Sequence, residues 1–386
     1  MLTMLVSRAK SPEKCLNNFM RPLFDELKEL WSPGIVTCDG FTGSGFLMRA
    51  TVMWTISDFP GLGMLGGVQT KGYKACPICM DYLNASHSHS RMSYQSARRF
   101  LPLGHALRRT PEAFNGQVEA RRPPPIATGN EIIDAIDSND YPELSLHPKF
   151  SGRHGEQLCW THRSIFWELD YWSTHQVRHA LDVMHIEKNV CDNVIGTVLG
   201  IAGKSKDDAK GRETLRSLGV RPELWPQQTS TGRIILPEAG YVVKAKDRVE
   251  VLKHIGNVRY PSGYAGSLLN KVNLADKKFY GLKTHDCHVL LQRIFPIIIR
   301  RYVDSNVADA LVELGRFFQM LCARELKKSV VRQMKKDIVL IMCKLETIFP
   351  PSFFTIMVHL CIHLPDQVLR TGPVHFTWMF PVERYV

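Results

Sequence analysis

Four residues of this chain have the types and spacing of a metal site. The stretch "KGYKACPICM" places Cys76 and Cys79 three positions apart, and "FFTIMVHLCIHL" places His359 and His363 four apart. On a helix, residues four apart project from one face, so both imidazoles can reach one ion. Each pair alone has a plainer reading: the cysteines as a redox pair or an incidental doublet, the histidines as core residues hydrogen-bonded to backbone. Together they make up Cys2His2, four protein ligands with no open position for water. That is the makeup of a structural zinc site rather than of a zinc hydrolase.

The other eight cysteines are scattered, with no second CxxC. They read as reduced, small apolar residues rather than as a disulfide framework.

Acidic candidates are fewer. Asp58 closes the β-branched and aromatic run "RATVMWTISD", just before the stop at Pro60-Gly61. Asp39, in the turn-rich "DGFTGSG", is its runner-up, and Asp25 falls inside a helix. In "DVMHIEKN", Asp182, His185 and Glu187 form a compact polar group that makes Glu187 a second candidate for the terminal acid; His179, Asp182 and His185 on one helix are instead a second metal or DNA-contact site or, more simply, a hydrogen-bonded helix. "THDCH" offers His285 and His288 in a metal-like cluster, although adjacent Cys and His strain to chelate one ion.

The elements that must position these groups follow from periodicity. "SPEKCLNNFMRPLFDELKELW" puts Leu16, Phe19, Leu23, Leu27 and Leu30 on one helical face, ended by Pro33-Gly34. "MLTMLVS" before it reads as a buried strand, and "FLMRATVMWTISD" after it as another. From 81 to 160 the chain is rich in Arg, His, Ser and Pro, and "RRPPPIATGN" is an irregular linker. Arg91, Arg98, Arg99, Arg108 and Arg109 either track a phosphate backbone or keep a loop soluble. Residues 175–202 carry helical periodicity, and apolar helices are expected over 286–300, 306–325 and 328–348, before a proline-started terminal helix. Trp160, Trp167, Tyr171 and Trp172 stack on bases or, more simply, fill a core.

The 386 residues are 44% apolar, enough for a large core, and carry a formal charge of +12. That excess favours a polyanionic partner, because each Lys or Arg laid on a phosphate releases a counterion. No run of about 18 apolar residues suggests a membrane span, and the basic "RELKKSVVRQMKK" reads as a solvated helix face as well as a targeting signal.

Several long stretches carry a resemblance. "RATVMWTISDFPGLGMLGG", "KGYKACPIC", "RHALDVMHIEKNVCDNVIGT", "GLKTHDCHVLLQRIFPI" and "FPPSFFTIMVHLCIHL" are similar to plant CACTA (En/Spm-type) transposases of the tnp2 family, and the later helical part resembles DUF4218. The resemblance implies an α/β fold in which a ribonuclease-H-like DDE core, partial over 1–80, is interrupted by a large, mainly helical insertion over 81–350. Residues 351–386 then return to the core. It implies Asp58 and Glu383 as catalytic, Mg²⁺-holding acids, and a structural zinc on Cys76, Cys79, His359 and His363. It further implies transposon-end DNA as partner, a nuclear location and a homo-oligomer. Mg²⁺ suits the acids because a hard ion takes oxygen ligands and assists in-line displacement at phosphorus. The family's first Asp would lie upstream of Met1, so the expectation is a fragment inactive alone. The alternative is a non-catalytic, zinc-stabilised nucleic-acid-binding or protein-interaction module.

Overall fold

The computed structural model describes residues 16–89, 91–138 and 159–383. The strand expected at "MLTMLVS" lies outside the described residues. The chain is α/β and mainly helical, and the strands among the described residues form five separate two-stranded sheets. It divides into two units, Met1–Asp81 with Pro125–Leu181 and Tyr82–Pro124 with Asp182–Val386.

In the first unit, helix α1 (Leu16–Trp31) buries Asn17, Met20 and Phe24, spaced at three, four and seven. Its apolar face meets Ile165, Phe166, Leu169, Tyr171 and Trp172. Phe24 and Phe166 pack edge to face, with ring centroids 4.9 Å apart. Tyr171 and Trp172 are therefore core residues, not a stacking platform. Asn17 Nδ2 donates to the Arg163 carbonyl at 3.0 Å, and Glu168 binds both Arg21 and Lys28 of α1.

Strands β1 (Ile35–Cys38) and β2 (Gly45–Met48) make an exposed antiparallel hairpin with Cys38 opposite Gly45. Asp39 forms its turn: Oδ1 accepts from the Phe41 and Thr42 amides at 3.0 and 2.7 Å, which also hold its carboxyl below the usual range. That local duty accounts for Asp39.

The single strand expected over "FLMRATVMWTISD" is two strands with a break. Between them Ala50 N–H donates to Leu30 O and Val52 N–H to the Tyr171 hydroxyl, so the ladder stops where the backbone finds other partners. Strand β3 (Thr55–Ser57) then pairs parallel with His179–Leu181, Ser57 opposite Leu181. The helical pattern expected from 175 therefore starts with a strand, and helix begins at Val183. A parallel partner so distant in sequence needs a long crossover. Each of the two strands is followed directly by an aspartate that caps a helix, Asp58 and Asp182.

Helix α2 (Phe59–Gly66) follows Asp58 and ends at Gly67, φ 70°, where a Cβ would sit 2.1 Å from the His162 carbonyl oxygen. Helix α3 (Gly129–Asp137) starts with a Thr128/Glu131 capping box and packs Ile132 and Ile136 on Cys159 and Trp160.

The second unit is built on helices α4 (Val183–Val198), α5 (Ala209–Ser217), α6 (Arg248–Gly256), α7 (Thr284–Val289), α8 (Phe295–Ile299), α9 (Ser305–Leu321), α10 (Lys328–Ile348), α11 (Ile356–Leu360) and α12 (Leu364–Thr371). A π-helical turn, Leu290–Ile294, joins α7 to α8. Helix α10 packs against α9 and α12 and buries Val331, Met334, Ile338, Met342 and Leu345.

The arginines at 98, 99 and 108 serve neither a phosphate nor solubility. They are 4%, 8% and 1% exposed. Arg108 donates from Nε to Leu101 O and from its two Nη groups to the Glu119, Arg121 and Arg99 carbonyls. An irregular segment cannot pair its own carbonyls, and a guanidinium with five donors does so from inside. Arg91 pairs with Asp208, and Arg109 is exposed.

Candidate metal centre

Cys76 and Cys79 sit in a tight turn with essentially no exposure. The Cys79 amide donates to Cys76 Sγ at 3.3 Å, and Met80, at φ 46°, closes the turn through its amide to Cys76 O. An amide aimed at sulfur favours the thiolate, the form that binds metal.

His359 lies on α11, and His363 ends the 3-10 turn Cys361–His363 that carries the chain into α12. Both are buried, at 2% and 6%. Their Nε2 atoms face each other at 3.2 Å, so with both ring protons on Nδ1 two lone pairs turn toward one point. The far side of His359 is fixed by Ser96, whose Oγ is 2.8 Å from Nδ1. Phe100 packs on both rings, 6.4 Å from His359 and 5.7 Å from His363.

The cysteine pair belongs to the first unit and the histidine pair to the second, and each pair offers two buried donors to one ion. Sulfurs in the one and imidazole nitrogens in the other are the donor types that suit a borderline ion such as zinc.

Asp58 caps α2, its Oδ1 accepting from the Gly61 amide at 2.7 Å. Glu383 ends the short helix Phe380–Glu383, and its side chain lies outside the described residues.

The polar group read around Asp182 divides. Asp182 Oδ1 accepts from the Met184 and Met379 amides, and Oδ2 binds His185 Nδ1. Glu187 is not part of it. It is five positions on, about 140° around a helix from Asp182, and it meets His288 and Gln292 instead. The "THDCH" cluster likewise separates: His285 reaches the Tyr264 carbonyl, Cys287 hydrogen-bonds Cys191, and His288 goes to Glu187. Sequence reading missed the partnership between Glu187 and His288, which no local spacing signals.

No helix among the described residues is long and apolar enough to cross a membrane. No curated protein and no solved structure matches the chain. Residues 1–139 match transposase family tnp2, and residues 321–386 match the domain of unknown function DUF4218. The cysteine pair falls in the first match and the histidine pair in the second, and by these two segments the chain is related to the tnp2 transposases.

Proposed function

We propose that the chain is a DNA-binding member of the CACTA (En/Spm-type) transposase lineage, with a structural zinc on Cys76, Cys79, His359 and His363. The observation that carries this reading is that a buried cysteine pair with ligand spacing falls in one family-matched segment and a buried histidine pair in the other. The formal charge of +12 supports a nucleic-acid partner, with transposon ends the class of DNA that the lineage implies. A ribonuclease-H-like core, a nuclear location and a homo-oligomer belong to the same proposal.

For strand cleavage, Asp58 and Glu383 are the acids proposed to hold Mg²⁺, which when bound supplies charge stabilisation at the reacting phosphate. Capping uses Oδ1 of Asp58 and fixes its carboxylate. Oδ2 has no protein partner among the described residues. The capping role also favours a second reading, a module that keeps Asp58 for its fold and binds DNA without cutting it.

The test is fluorescence anisotropy with double-stranded DNA at several salt concentrations, with and without chelator, followed by incubation of the complex with Mg²⁺. Binding that weakens steeply with salt supports the proposal, and no binding to any duplex, end sequence or not, overturns it. Mg²⁺-dependent nicking lost in Asp58→Asn selects the catalytic reading. Binding without nicking selects the module. Zinc retained at full stoichiometry in both Cys76→Ser and His363→Ala would sink the metal assignment.

A further inference from the structure

A second cluster lies wholly within the helical unit. Glu187, on α4, is 3% exposed. A buried carboxylate needs a positive partner or a metal, and among the described residues its only ion-pair partner is His288. His288 Nδ1 lies 2.8 Å from Glu187 Oε2, and Gln292 Nε2 donates to Oε1 at 2.8 Å. The same Gln292 nitrogen is 3.0 Å from His288 Nδ1, and the Gln292 side chain also interacts with Cys322.

His288 Nδ1 thus faces conflicting demands. The Glu187 oxygen only accepts and the Gln292 amide nitrogen only donates. With a proton, Nδ1 serves Glu187 but opposes the Gln292 N–H. Without one, it serves Gln292 but sets its lone pair against the carboxylate. A cation between Nδ1 and Oε2 satisfies both lone pairs and lets the Gln292 amide turn away. The third donor is in place: ligand atoms of Glu187, His288 and Cys322 all lie within 4.8 Å of one another.

Three elements bring these residues together. Helices α4 and α7 pack closely, with Cys191, one turn beyond Glu187, hydrogen-bonded to Cys287, next to His288. This sets the register that puts Glu187 opposite His288. Cys322 caps the end of α9. The π-helical turn after α7 carries Gln292 on the same side as His288, and such turns often mark functional positions.

We infer that Glu187, His288 and Cys322 form a second metal site, for a zinc-class divalent ion held by one oxygen, one nitrogen and one sulfur. Three protein ligands leave a fourth position for water or a ligand, unlike the closed Cys2His2 set. The inference does not depend on the proposed function, nor on the first site being metallated.

The test is Co²⁺ titration of the reduced, metal-stripped full chain. The full chain takes one equivalent that His288→Ala and Cys322→Ala lack, while Cys76→Ser keeps it. The thiolate-to-cobalt absorbance that Cys76→Ser retains through Cys322 disappears in the Cys76→Ser/Cys322→Ala double variant. Equal stoichiometry and spectra in the full chain and Cys322→Ala overturn the site. Far-UV circular dichroism in chelator checks that each variant folds. If a variant does not fold, X-ray absorption on the zinc-loaded full chain decides without substitution. An average of about 1.5 sulfurs per zinc means both sites are filled, about 1 means the Glu187 site alone, and about 2 means the Cys2His2 site alone and refutes the inference.

Discussion

Ser96 Oγ lies 2.8 Å from Nδ1 of His359, on the side of the imidazole away from His363. A hydroxyl that accepts from Nδ1–H leaves the lone pair on Nε2, the atom that faces His363. With its hydroxyl accepting, Ser96 favours the tautomer that the proposed zinc requires. Ser96→Ala is expected to fold and to bind zinc about 10–100-fold more weakly, measured by competition with a chromophoric chelator. Unchanged affinity would mean that His359 is oriented by its packing alone.

Glu346 joins the same segment from α10, its Oε1 accepting from the Ala97 amide at 3.0 Å. Burial, opposed by the Ala97 N–H and the Arg98 guanidinium, pushes its carboxyl up to about 7. A folded-state value above the ordinary one favours folding while the group is protonated. The stabilisation is complete below about pH 4.5 and is lost as pH rises through 7, in total about 3 kcal/mol. Glu346→Gln keeps the acceptor and removes the charge, so its stability relative to the parent should rise between pH 5 and pH 8.5. Parallel urea midpoints across that range would rule the idea out.

His179 acts in the opposite sense. Its Nδ1 meets Thr55 Oγ1 at 2.7 Å, and its ring packs edge-on against Phe166 and Trp172. Burial and the neighbouring Arg178 charge push it down to about 3. The unfolded imidazole then binds a proton that the folded one refuses, so this contribution is whole above about pH 6.5 and lost as pH falls toward 3. At pH 5 the loss is about 2 kcal/mol. His179→Asn, which keeps a group facing Thr55, should be less stable at pH 7.5 but show a shallower fall with acid. Equal slopes from urea unfolding at pH 7.5 and pH 5 would exclude His179 as the source.

What could be read from the sequence follows from the range of the forces involved. Helices near 306–325 and 328–348 were legible because a long amphipathic period survives any tertiary context. The cysteine pair and the histidine pair stood out because ligand spacing is local. The break between β2 and β3 was not, since it depends on where Ala50 and Val52 find hydrogen-bond partners. Nor was the pairing of Glu187 with His288, whose register is set by helix packing across 101 positions. The helical period alone already separated Glu187 from Asp182, a distinction that grouping by proximity in sequence concealed.

Arg108 provides the sharpest separation of a structural cation from a DNA-binding one. Its guanidinium, 1% exposed, satisfies the carbonyls of Arg99, Leu101, Glu119 and Arg121 at 2.6–3.0 Å. Removing it strands several buried acceptors, each costing about 1–3 kcal/mol. Lysine, a point donor on a flexible stem, cannot reach all four. Arg108→Ala and Arg108→Lys should both lower stability by at least roughly 3 kcal/mol. Variants that stay folded should keep the salt dependence of DNA binding unchanged. By contrast, substituting the exposed Arg109 should leave stability within about 0.5 kcal/mol. If Arg108→Lys unfolds at the same urea concentration as the parent yet shows a shallower salt slope in DNA binding, Arg108 meets phosphate rather than backbone.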